Sequence, residues 1–124
     1  MSVLRQALRA AAAAPESLPE AGGWRRRYVF AANSVVFAGH FPQHPVVPGV
    51  AQILMAHMTL EEAFGRAFIL CAVPQAKFTL PLEPGIIIEL FLNVGRRDGL
   101  WDCTLHRGGQ LAARFQLEVR PESV

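Results

Sequence analysis

The sequence predicts an α+β domain in which an antiparallel sheet wraps around one central helix. Three features predict it. The run Val50–Phe64 contains no breaker until Gly65 and is apolar nearly all the way round, so a sheet or another subunit must enclose it. Beyond Gly65, apolar and polar residues alternate in short segments bounded by proline or glycine, as half-buried strands do. Ahead of the helix, Pro42, Pro45 and Pro48 fall at every third position. They fix φ repeatedly and forbid helix or inner-strand pairing, so this segment is a stiff extended loop.

In chain order, Val3–Ala14 reads as a short helix stopped by Pro15, and Glu16–Gly23 as a loop. Residues 1–23 are thus an N-terminal helix and loop, and 24–124 a single domain. Trp24–Ala32 is the first strand expected, and Asn33-Ser34 a turn. In the central helix, Gln52, Thr59 and Glu62 share one side, while His57 and Glu61 lie on the stripe of Val50 and Leu54. Ala67–Val73 and Gln75–Leu80 are strand-like on either side of Pro74. Ile86–Val94 sets Ile86, Ile88, Leu90, Leu92 and Val94 on one face, and Arg97-Asp98-Gly99 suits a hairpin turn. Trp101, Cys103 and Leu105 alternate with Asp102, Thr104 and His106. The last strand places Leu111, Ala113, Phe115, Leu117 and Val119 inward.

At 124 residues the chain has room for one core and not two. Hydrophobic residues form 52% of it and charged ones 18%, a balance that implies surface buried against another copy. A net charge of +2 does not point to nucleic acid. Arg25-Arg26-Arg27 and Arg96-Arg97 read either as solvated strand and hairpin ends or as a landing patch for an acidic partner or a phosphate. Cys71 and Cys103 are too few for a disulfide framework, no metal-ligand spacing is present, and both read as buried thiols of a reducing compartment. No stretch is long and apolar enough to span a membrane, and the weakly cationic N-terminus lacks a secretory signal's apolar segment, so a cytoplasmic protein is expected.

The candidate site lies where the proline loop meets the helix. Backbone N–H groups at a helix start have no intrahelical partner and favour negative charge beside them. His40 rides on the loop that feeds this end, so a potential base stands next to a potential oxyanion site around Gly49 and Val50. Phe41, Val46, Leu54 and Phe78 are the expected walls of a slot for an apolar chain. His44 is expected in solvent and His106 on an exposed strand face. Gln52 could bond a substrate or reach across a dimer.

The stretch Gly39-His40-Phe41-Pro42-Gln43-His44-Pro45-Val46-Val47-Pro48-Gly49-Val50 resembles the signature of the β-hydroxyacyl-acyl-carrier-protein dehydratases, which have the hotdog fold; a weaker likeness continues through Ala76–Arg120. Pro-Gly-Val-Ala-Gln-Ile is also similar to a variant in dehydratase-like proteins of aryl-polyene and related lipid clusters. The resemblance implies that His40 is the base and that amides around Gly49 and Val50 polarise the thioester. It implies no cofactor, the substrate being carried on the phosphopantetheine of a carrier protein or offered as acyl-CoA. It also implies a dimer or higher oligomer, because the family's acid is a carboxylate on the partner's central helix. Here Leu54 stands where that carboxylate belongs, and leucine donates no proton. His57, one turn on and spaced i,i+4 from Glu61, is the surrogate acid the sequence offers; the alternative is a hydrogen-bonded core histidine. Three functions follow: a dehydratase, a degenerate acyl-thioester-binding subunit acting with a paralogue, and an acyl thioesterase.

Overall fold

The computed structural model describes residues 2–20, 22–38 and 43–123, and it has the sheet-around-helix architecture that the sequence predicts. Helix α1 (Val3–Ala11) is capped by Ser2, whose side chain accepts from the Arg5 amide, and it buries Leu8 completely. It ends three residues before the expected stop. The chain at Ala12–Ala13 instead pairs with the next strand, Ala12 bridging to Tyr28 and the Ala13 N–H donating to Arg27 O at 2.8 Å. The expected loop after Pro15 holds a short strand, β1 (Glu16–Leu18), which pairs with β2 (Gly23–Tyr28). The sheet therefore reaches back to Glu16. Strand β2 ends at Tyr28, short of the expected Ala32, because the Val29 N–H turns away to Ala11 O and Phe30 O accepts from Gly85. One 3₁₀ turn, Val35–Phe37, then leads towards the proline loop.

Helix α2 (Gly49–Phe64) stops at Gly65, which takes a left-handed φ of 64°. Strands β3 (Phe68–Ala72), β4 (Ala76–Phe78), β5 (Ile88–Val94), β6 (Leu100–Arg107) and β7 (Gln110–Pro121) follow. The sheet is antiparallel in the order β1-β2-β5-β6-β7-β3, with β4 also on β7. Registers Phe68↔Pro121 and Phe78↔Ala113 show that β3 and β4 lie end to end along the same side of β7. They form one interrupted edge, broken at Pro74.

The core lies between the sheet and α2: Met55 and Leu60 of the helix meet Leu90, Leu92, Leu105 and Leu117 of the strands, all fully enclosed. The alternation expected of β7 holds from Ala113 to Val119 and fails before it. Leu105 pairs with Ala113 but His106 with Leu111, so Ala112 is an extra residue in a bulge. The slip turns Leu111 outward and buries Ala112. Val94, expected inside, is 57% exposed at the strand end. Cys103 is buried as expected. Cys71 is exposed, contrary to expectation, because β3 is an edge strand.

Candidate active site at the start of the central helix

Prolines dictate how the loop arrives. Pro48 is the N-cap of α2 with φ −65° and ψ 152°, an extended residue whose ring fixes the approach and whose side chain accepts no hydrogen bond. The amides of Ala51 and Gln52 both turn back to Pro48 O, at 3.0 and 3.1 Å. Gly49 and Val50, the first two residues of the helix, have no carbonyl behind them within the helix, and the N-cap offers none. Their N–H groups are suited to hold an oxygen that gains negative charge.

The expected walls are partly assembled here. Phe78 packs on Gly49: a Cβ on that glycine would lie 3.0 Å from two ring atoms of Phe78. The same ring tilts against Phe115, centroids 6.2 Å apart. Val46 is half-buried in the loop, and Leu54 is half-buried against the core one turn into the helix. Val50 is 70% exposed beside them. His40 and Phe41 lie outside the described residues. His44 is exposed, as expected, whereas His106 is only half-exposed, edge-on to Phe91 at 5.3 Å.

Gln52, left open by the sequence, is 4% exposed and points back along the loop. Its Nε2 donates to Val47 O at 3.0 Å, while the Val47 N–H donates to Leu82 O at 2.8 Å. Gln52 Oε1 is buried and has no partner among the described residues. An unpaired buried acceptor costs about 1–3 kcal/mol and one neutral hydrogen bond returns about 1. Gln52 is therefore no net stabiliser.

His57 lies two turns further on. Its Nε2 donates to Phe68 O at 2.8 Å, and Glu61 Oε2, 3.6 Å from that nitrogen, accepts from the Phe68 N–H at 2.9 Å. The i,i+4 pair inferred from spacing is present. It grips both backbone groups of one residue in the edge strand, and Arg5 approaches Glu61 from α1 at 3.6 Å.

The arginine run is consumed locally. Arg25 pairs with Glu16 and Arg27 with Glu89 across the strands. Arg26 is buried, its side chain 4% exposed. It makes a fork to both Glu62 oxygens at 2.7 and 3.0 Å and donates to Ala13 O and Thr59 Oγ1. Burial pulls its pKa down, but the bonds and charge of Glu62, together with Tyr28, outweigh that and leave it raised. This lock was missed from sequence, although strand alternation places Arg26 on the inner face with Trp24 and Tyr28. Burial pushes the Cys103 thiol far up, so it is no nucleophile.

Comparison with known proteins gives this geometry a family. The ApeI-like family, described as ApeI dehydratase, matches residues 20–116. The chain belongs to the ApeI-like dehydratases. A 3-hydroxyacyl-[acyl-carrier-protein] dehydratase FabZ of Mannheimia succiniciproducens is 34% identical over 84 residues, 60% of this chain and 56% of that protein. The FabZ of Alkalilimnicola ehrlichii is 38% identical over 80 residues, 56% of this chain and 52% of its own. The chain spans about half the length of the curated relatives it matches. Among solved structures, the dehydratase heterocomplex ApeI:P of Xenorhabdus doucetiae superposes with TM-score 0.71 at 24% identity, over 78% of this chain and 86% of that one. The PaaI protein of E. coli reaches 0.67 at 17% identity, over 94% and 86%. At such identities these two show the fold alone, the hotdog that the proline motif implied. For an ApeI-like chain, the uncapped start of α2 beneath Phe78 is the place to look for chemistry.

Proposed function

We propose that this ApeI-like protein dehydrates β-hydroxyacyl thioesters borne on the phosphopantetheine arm of an acyl carrier protein, with acyl-CoA as the simpler form of the same substrate. The observation that supports this reading is the pair of amides at Gly49 and Val50, unpartnered among the described residues, beside the apolar wall of Phe78, Val46 and Leu54. The thioester oxygen accepts from those amides as charge develops on it. His40, the base implied by the motif, takes the C2 proton; the C2–H electrons form the C2=C3 bond, and the C3 hydroxyl leaves as water once protonated. Phe41 joins the acyl slot on the same motif. His57 is the acid this chain offers; with Nε2–H given to Phe68, its exchangeable position is Nδ1.

The working unit in this reading is an oligomer. The edge β3–β4 presents Cys71 and Phe78 exposed and Leu70 partly so, beside the exposed Val50 of α2. An apolar, unpaired edge of this kind takes a second strand. A second reading rests on Leu54: a chain without the helix carboxylate acts as one subunit of a pair, as the Xenorhabdus doucetiae relative is a heterocomplex. Purified protein is to be assayed for interconversion of β-hydroxyacyl and enoyl thioesters, alone and with an ApeP-like partner. Dehydration by the protein alone, reduced at least ~100-fold in His40→Ala, is the expected result. Turnover that appears only with the partner establishes the second reading, and His40→Ala at full rate removes His40 from the reaction.

A further inference from the structure

We infer that Gln52 is a positioning residue whose side-chain amide sets the Gly49 and Val50 N–H groups by gripping Val47, an inference that rests on the thioester reading of those amides. The orientation of the Gln52 amide is fixed by its partner, since a carbonyl accepts only from Nε2. Val47 is thereby held from both sides, its C=O by Gln52 and its N–H by Leu82 O. Pro48, the next residue, has no N–H with which to be held, and its ring fixes φ at −65°. Any rotation of the Val47 carbonyl is therefore passed through a rigid residue to Gly49. The grip on Val47 is what aims the helix start.

The unpaired Oε1 separates this role from two others. It is buried with no partner among the described residues, so the amide uses one donor and leaves its acceptor unfilled, and its neighbours Ile53 and Met55 show that this helix accepts apolar side chains readily. Stability alone gives glutamine no advantage at this position, since an apolar residue would exchange the unpaired Oε1 for an unpaired Val47 C=O. Substrate contact is equally unsupported, because Oε1 is shielded from solvent and Nε2 is spent on Val47. What remains is the donor and the geometry it imposes.

Gln52→Met keeps length and volume and removes the donor. The variant is expected to lose kcat on the order of 100-fold, as a displaced catalytic group does. KM should stay within about threefold, because ground-state binding is untouched. Its thermal midpoint should stay within a few degrees of the parent's, because the unpaired Oε1 is removed while the buried Val47 C=O loses its donor. In 1H–15N spectra the Gly49 and Val50 amide resonances should shift or multiply. A kcat within about threefold of the parent, unmoved Gly49 and Val50 resonances, or a midpoint lowered by more than the roughly 4–8 °C that one lost hydrogen bond explains would each overturn the assignment, the last by making Gln52 structural. Where the parent protein turns over no β-hydroxyacyl thioester, the dehydratase reading fails separately. The two amide resonances then decide whether Gln52 positions them.

Discussion

Removing Glu62 should destabilise this protein more than removing the arginine it binds. The Arg26 side chain is 4% exposed, whereas that of Glu62 is 35% exposed at the rim. Glu62→Ala leaves a buried guanidinium facing only the neutral oxygens of Ala13 and Thr59. Breaking a fully buried pair costs about 3–5 kcal/mol, and the partial exposure of Glu62 reduces this to about 2–3. Arg26→Met takes the cation away and fills the space, and the abandoned Glu62 carboxylate turns into water. Thr59 keeps its hydrogen bonds to Met55 O and Tyr28. Thr59 Oγ1 gives up only one of three bonds, so the main loss is the donor to Ala13 O, a cost of about 1 kcal/mol. Urea unfolding at one fixed protein concentration reads both variants, with the m-value held as the check that only stability changed. Equal costs, or a larger one for Arg26→Met, would show that the cation is hydrated in solution and that the lock does not hold α2 to β2.

Three further outcomes follow from the geometry. Leu54→Glu restores a carboxylate one turn below the unpartnered amides; if proton donation limits the dehydration, its rate should rise at least ~100-fold, the lower range for a general acid, and no rise would show that the missing acid is not limiting. Gly49→Ala brings a Cβ to 3.0 Å from the Phe78 ring, so it should cost about 1 kcal/mol alone and nothing in a Phe78→Ala background, where the lost backbone freedom stabilises instead; equal costs in both backgrounds would mean that ring and glycine are uncoupled. Thiol labelling should find Cys103 inert until the protein unfolds, because burial raises its pKa and withholds the thiolate at neutral and mildly alkaline pH; Cys71 should label faster as dilution frees the β3–β4 edge, and a dilution-independent rate would argue against that edge as the oligomer contact.

The central helix was legible as an unbroken apolar run ended by Gly65, and the strands that bury one face were legible from their alternation. Helix α2 begins one residue earlier than its first apolar residue suggests, because Gly49 already has helical geometry. The misreadings share a cause: each depends on how a strand pairs and not on the pattern of its own residues. Strand β1 is three residues long and exists through its register with Gly23–Arg25, leaving no pattern of its own. The outward turn of Leu111 comes from a bulge seated against β6, and the exposure of Cys71 comes from β3 being last in the sheet. Arg26 was recoverable, because its neighbours Arg25 and Arg27 must point the other way in a strand. The Gln52–Val47 bond was not, as a side chain reaching five residues back off a helix leaves no periodic trace.

The same reasoning explains why the edge strand matters to the candidate site. Helix α2 touches β3–β4 at both of its ends. Phe78 covers Gly49 at the start, and His57 with Glu61 holds the N–H and C=O of Phe68 near the finish. Two anchors on opposite sides of Pro74 leave the edge no freedom to slide along the helix. A one-residue slip would turn Phe78 away from Gly49, because successive side chains point to opposite faces. Any strand laid along that edge is consequently held in register with the unpartnered amides of Gly49 and Val50. In the proposed oligomer, His57 and Glu61 would thus bear on the chemistry by fixing where a neighbouring subunit's groups arrive.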